Sequence, residues 1–281
     1  MGARDGGQAR LVPAGGNAPS CHSERSEKSV PAPPVPCSPF PVPPGELRVL
    51  YCDRELLVCE KPTDCLSEPG PGKNLPALAA AWLREHGEDP AVRTVHRLDK
   101  AVGGLMVLAR THRAAASLID QIAARTAEKE YLAVLRGVPE QDEAVLEDLL
   151  FHDSRVNKTF VVRRPRAGVR AAKLFYRVLG QTEADGGPLT LVQIRLLTGR
   201  THQIRAQFSA RGLPLYGDAR YGGGSGPLAL WSCRLSFPHP ETGYRVKHYQ
   251  APPDCAPWDL FRSVLPAKLS PLSPGTESTD Q

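Results

Sequence analysis

The sequence predicts an α+β fold: a mixed, largely antiparallel sheet core flanked by helices, with disordered termini. Three observations predict it. Short apolar or alternating runs bounded by Gly, Pro or Asp recur from Leu47 to Phe237 and outnumber the stretches of helical spacing. Two stretches, 75–86 and 111–125, carry apolar residues at helical intervals between these strand candidates. Both chain ends are rich in Pro, Ser or Gly and cannot bury enough apolar surface to offset their ordering entropy.

Residues 1–44 are expected to be disordered, 45–265 to form one domain, and 266–281 to be a disordered tail. Arg4, Arg10 and Arg25 permit a transit-peptide reading of the first segment, but Asp5, Glu24, Glu27 and the prolines oppose an amphipathic targeting helix. Translation from a misplaced start would also produce such a segment.

Order is expected to begin with a hairpin of runs 47–52 and 55–60 about Asp53-Arg54, ended by Lys61-Pro62. A Pro/Gly loop, 62–72, precedes a helix over 75–86 that Asp89-Pro90 breaks. Residues 105–109 read as a buried strand, and Thr111 as the N-cap of a helix whose face carries Ala115, Leu118, Ile119 and Ile122. Strands follow at 129–136, 145–151, 159–162, 173–179 and 189–197. A helix is expected from the polar stretch after Thr198 to near Gly212. A Gly/Tyr/Asp-rich loop, a strand over 228–237 and a short helix over 258–264 close the domain.

The chain of 281 residues is 41% hydrophobic with a formal charge of +5, a mildly basic balance that permits a polyanionic partner. Cys21, Cys37, Cys52, Cys59, Cys65, Cys233 and Cys255 form no Cys-x-x-Cys pair and no zinc-ligand spacing, which fits reduced thiols. No apolar run approaches a membrane span, and no signal-peptide hydrophobic region follows Met1. A soluble, cytoplasmic, monomeric protein without metal is expected.

The chemistry centres on residues 95–110. His96, Arg97 and Asp99 lead through Gly103-Gly104 into the buried strand. Asp99 follows Leu98 at the strand entrance, where a carboxylate needs a partner. In an extended segment Arg97 projects from its side. A paired Asp in a cleft is ready to serve as nucleophile or base. On this stretch alone, a structural ion pair at a strand end outweighs the catalytic reading.

Five blocks in order extend the pattern: His96-Arg97-Leu98-Asp99; Lys129-Glu130-Tyr131-Leu132-Ala133-Val134; Leu197-Thr198-Gly199-Arg200-Thr201-His202-Gln203-Ile204-Arg205; Gly212 to Gly217-Asp218 with Tyr221-Gly222; and Leu235-Ser236-Phe237-Pro238-His239-Pro240. Together they resemble the RluA-type pseudouridine synthases over residues 47–257. The resemblance implies a pseudouridine synthase-like sheet with a cleft across it. It also implies Asp99 as catalytic residue, Tyr131 against the target uracil, Arg200 paired with Asp99, and no cofactor or metal.

Members commonly carry Thr-Ser-Gly where this chain has Val102-Gly103-Gly104, and His where Trp231 stands, departures that bear on substrate choice rather than activity. The S4 RNA-binding domain of many members has no counterpart in 1–44.

Pseudouridylation breaks the N-glycosidic bond and rejoins C5 to the ribose, so one carboxylate can serve by attack on sugar or base or by moving a ribose proton. Glycosidases usually need two carboxylates, and no second acid sits in a comparable motif. The target uridine of an rRNA or tRNA must be flipped out and stacked, and Tyr131 supplies the aromatic face; a core tyrosine is the competing reading. Arg97 is expected to fill the vacated stack or hold a phosphate, with a surface arginine as the alternative. For Arg200, a solvated helix-start cation is disfavoured by the helix dipole.

His96, Lys129, His202 and Arg205 complete the expected substrate-binding set, with His202 read as a structural hydrogen-bonding histidine rather than a general acid. Arg163, Arg164, Arg166 and Arg170 would track the RNA backbone if they lay over the cleft. A catalytically inactive RNA-binding factor of the same fold is the alternative function, and the intact Asp99, Tyr131 and Arg200 set speaks against it.

Overall fold

A computed structural model describes residues 47–184, 186–265 and 270–272. The expectation for residues 1–44 lies outside them. The elements in chain order are β1 (Arg48–Cys52), β2 (Leu56–Lys61), α1 (Leu75–Glu85), β3 (Arg93–Thr94), β4 (Gly103–Ala109), α2 (His112–Ala123), β5 (Glu128–Arg136), β6 (Glu143–Asp153), β7 (Lys158–Val162), β8 (Val169–Ala184), β9 (Gly187–Leu196), α3 (Gln203–Ser209), β10 (Leu230–Pro238) and β11 (Arg245–Tyr249). A 3-10 turn, Trp258–Phe261, stands where a closing helix is expected.

All the strands share one sheet, ordered β1-β2-β4-β10-β5-β9-β8-β6-β7, with β3 on β4 and β11 on β10. Its pairings are antiparallel except β4–β10. The α+β expectation therefore holds.

Local chemistry places the first elements. Asp53 Oδ1 accepts from the backbone N–H of Glu55 (2.8 Å) and of Leu56 (2.7 Å), an Asx-type turn that closes the β1–β2 hairpin. Asn74 caps α1 by accepting from Ala77 N–H, and Thr111 caps α2 by accepting from Ala114 N–H.

Period-2 alternation divides the sheet into two faces. Leu57, Cys59, Met106, Leu108, Tyr131, Ala133 and Leu135 join the core that holds Leu75, Ala79 and Leu83 of α1 and Ile204 and Phe208 of α3. Leu56, Val58, Leu105, Val107 and Ala109 pack with Ala114 and Leu118 of α2. β4 is buried along its whole length, which explains its unbroken apolar run.

Two expectations need correction. α3 covers seven residues rather than reaching Gly212, and Gln203 through Phe208 are all buried. Its polar side chains have internal partners: Gln207 Nε2 donates to Leu146 O (3.2 Å) and Asp148 Oδ2 (2.7 Å). β11, Arg-Val-Lys-His-Tyr, was not expected; its polar sequence suits the solvated strand beside β10. Within the expected tail, Leu272 is fully buried, and its carbonyl accepts from Arg195 Nη1 at 2.7 Å.

The two departures from the common family pattern meet in space. Trp231 is the register partner of Gly103 across β4–β10, and a Cβ on Gly103 would lie 2.4 Å from Trp231 Cζ3. The missing side chain at 103 makes room for the large ring at 231. Gly103→Ser should destabilise the protein by about 1–3 kcal/mol through overpacking. Adding Trp231→His should recover much of that loss, and a denaturation double-mutant cycle would measure the coupling. Additive losses would show that the two sites are independent.

Candidate active site

Asp99 lies in the loop before β4, clamped on both sides. Ser67 Oγ donates to Leu98 O (2.8 Å) and accepts from Leu98 N–H (2.9 Å). The ammonium of fully buried Lys61 donates to Pro62 O (2.8 Å), Cys65 O (2.7 Å) and Lys100 O (3.1 Å). Burial lowers the Lys61 pKa to about 8. Val102 N–H donates to Asp99 O at 3.0 Å, turning the chain into β4. The backbone on either side of Asp99 is thus held from the end of β2 and the loop after it, as well as by its own turn.

The carboxylate has a cationic partner, but not Arg200. Arg205 Nη1 donates to Asp99 Oδ2 at 3.0 Å, while Arg205 Nε and Nη2 grip Asp218 Oδ2 (2.7 Å) and Oδ1 (2.8 Å). Burial opposes the Arg205 charge, yet the two carboxylates outweigh it and raise the pKa above the ordinary arginine value. Arg200 instead donates from Nε to Ala171 O at 3.0 Å and is exposed. Its expected pairing is corrected: Arg205, expected among the substrate-binding residues, is the cation that reaches Asp99. Arg205 sits in the first turn of buried α3 and faces the Asp99 loop. Arg200 stays in the preceding loop, where Gln203 Oε1 accepts its backbone N–H at 3.0 Å.

A cavity of about 370 Å³ opens over this cluster, lined by His96, Arg97, Asp99, Lys129, Tyr131, Arg200, His202 and Arg205, among others. The structure therefore gathers all eight sequence-predicted residues around one cavity. Tyr131 joins the core of that face and lines the cavity, so its packing and substrate readings are compatible. Burial, and then the Asp99 charge, raises the Tyr131 pKa.

His96 accepts Val107 N–H on Nε2 at 3.1 Å, and burial pushes its pKa down to about 3. Desolvation likewise lowers the pKa of Lys129. Arg97 pairs with Glu68 at 3.2 Å, both side chains being more than half exposed. Such a pair contributes little to stability and leaves Arg97 able to move. Among the described residues no His/Cys/Asp/Glu group could hold a metal ion, and no helix is long and apolar enough to cross a membrane.

Residues 55–210 match the family model of RNA pseudouridylate synthases. The chain belongs to the RluA-type RNA pseudouridine synthases. It is 34% identical to ribosomal large subunit pseudouridine synthase D of Pseudomonas aeruginosa, over 76% of this chain and 71% of the relative. It is 31% identical to the dual-specificity RNA pseudouridine synthase RluA of Vibrio parahaemolyticus, over 69% of this chain and 78% of the relative. The solved structure of human RNA pseudouridylate synthase domain containing 1 superposes with a TM-score of 0.62 at 25% identity, covering 78% of this chain and 88% of that one. This synthase is accordingly an isomerase that acts on RNA.

Four residues of the synthase site escaped the sequence reading. Ser67 and Lys61 are far from Asp99 in sequence, although a lysine closing an apolar strand was a signal for Lys61. Asp218 and Tyr221 stand in the Gly217–Gly222 block, which carried resemblance but no assigned chemistry. Tyr221 is buried, and its hydroxyl oxygen lies 3.0 Å from His202 Nδ1.

Proposed function

We propose that this synthase isomerises specific uridines of rRNA or tRNA in the cytoplasm, with Asp99 as the reacting carboxylate. The supporting observation is the Asp99–Arg205–Asp218 chain at the cavity. A buried guanidinium spans two carboxylates, with Asp218 fixing its plane and Asp99 Oδ2 anchored so that the carboxylate is oriented for attack or proton transfer. Arg205 donates to Oδ2, and among the described residues no hydrogen bond from protein falls on Oδ1. Oδ1 is then the oxygen offered to the nucleotide.

The flipped uracil would lie against Tyr131, with Lys129 and Arg200 neutralising backbone phosphates at the rim and Arg97 entering the space the base leaves. The exposed cations Arg163, Arg164, Arg166 and Arg170, on and before β8, would extend that phosphate track.

Incubating the purified chain with unmodified rRNA and tRNA transcripts, then mapping pseudouridine by adduct-induced reverse-transcription stops, tests the substrate assignment. New stops at discrete uridines in either RNA support it; no stop in either contradicts it. Tyr131 gives a sharper check. Tyr131→Phe should bind RNA like the wild type, whereas Tyr131→Ala should lose about 1–3 kcal/mol of stacking. Fluorescence anisotropy on folded variants reads this, and equal affinity of the Ala variant would remove Tyr131 from the base platform.

A further inference from the structure

We propose that Tyr221 and His202 are positioning residues for Asp99: the Tyr221 hydroxyl fixes the His202 proton on Nε2, and this N–H steadies Asp99 Oδ2 so that Oδ1 is left for the uridine. The inference rests on the reading of Asp99 as the reacting group and assigns two further side chains to it.

The protons around Tyr221 can be assigned one by one. Thr159 N–H donates to the Tyr221 hydroxyl oxygen at 2.7 Å. Thr159 Oγ1 gives its own proton to Thr201 O (2.8 Å) and lies 3.0 Å from His152 Nδ1. The Tyr221 proton is then directed to His202 Nδ1, 3.0 Å away. A neutral imidazole that accepts on Nδ1 carries its proton on Nε2. His202 Nε2 lies 3.6 Å from Asp99 Oδ2, the oxygen that Arg205 also contacts. This separation is longer than a hydrogen bond, and catalytic contacts of this kind tighten when substrate binds.

The surroundings keep His202 neutral, as that assignment requires. Burial lowers its pKa, and although Asp99 favours a second proton, Arg205, Arg220 and His152 oppose one. The Tyr221 ring stands edge-on to the imidazole at 5.8 Å and 89°.

The backbone points the same way. His202 is left-handed, with φ 53° and ψ 25°, immediately before α3 and without a capping hydrogen bond from its side chain. Non-glycine residues adopt this region uncommonly, and such strain gathers at active sites. Here it places a buried ring between the Asp99 carboxylate and the Tyr221 hydroxyl.

Long-range proton–nitrogen NMR of the free protein should show His202 as the Nε2–H tautomer, a result independent of any turnover. An Nδ1–H tautomer would overturn the relay even if the synthase were fully active, and a synthase inactive on every RNA would overturn the reading of Asp99 instead.

In folded Tyr221→Phe, kcat should fall about tenfold, the loss of one hydrogen bond to a charged acceptor, with KM unchanged. His202→Gln supplies an amide donor that needs no tyrosine proton, so adding Tyr221→Phe to it should cost no further activity. A packing role would lower melting temperature and leave kcat unchanged; that result, or additive losses in the double variant, would overturn the proposal. Should Tyr221→Phe fail to fold, the wild-type tautomer decides alone.

Discussion

Arg205→Met should lower stability by about 3–5 kcal/mol and also abolish efficient turnover, because it strands a buried carboxylate while releasing Asp99. Asp218 is 1% exposed and both its oxygens are held by Arg205. Deleting the cation leaves that charge unpaired in a medium that solvates it poorly. For a domain of this size the loss corresponds to a fall in melting temperature of roughly 10 °C. Adding Asp218→Asn should restore part of the stability, since the stranded charge disappears, but no activity, since Asp99 still lacks its partner. Arg200→Ala should cost less than ~1 kcal/mol, as expected of an exposed side chain with one backbone contact. Thermal melts and turnover of the four proteins separate these roles, and equal losses for Arg200→Ala and Arg205→Met would contradict the pairing.

Asp99→Asn should reduce pseudouridine formation to background while RNA affinity changes little. The amide keeps the shape of the carboxylate, and the Ser67 and Lys61 clamps act on neighbouring backbone atoms, so the loop should keep its place. The nucleophilic or basic charge is lost, and the other carboxylate lining the cavity, Glu128, is engaged by Arg195 (3.1 Å) and Arg245 (3.2 Å). Melting temperature should stay near the wild-type value, since Asp218 retains its two bonds to Arg205.

What was legible in the sequence follows from how local the cause is. The β1–β2 hairpin, α1 and α2 could be read because Asp53, Asn74 and Thr111 act on residues two or three positions away. β4 could be read because a strand covered on both faces is apolar throughout. The partner of Asp99 could not be read. Arg200 and Arg205 share one motif, and only the placement of a short, fully buried helix decides which of them reaches the carboxylate. The targets of Ser67 and Lys61 were illegible for a related reason: these side chains act on backbone atoms of residues 98 and 100 across a turn of the fold. β11 was missed because an edge strand with polar residues carries no hydrophobic alternation to detect.

The central claim, that Asp99 isomerises uridine in RNA, is tested most directly by tritium release from RNA labelled at uridine C5. Joining C5 to the ribose expels that tritium into water, whereas hydrolysis of the glycosidic bond would leave it on free uracil. The wild-type synthase should release one tritium for each pseudouridine formed, with no free uracil, and Asp99→Asn should release none. Release by folded Asp99→Asn at the wild-type rate, or labelled uracil from the wild type, would contradict the account.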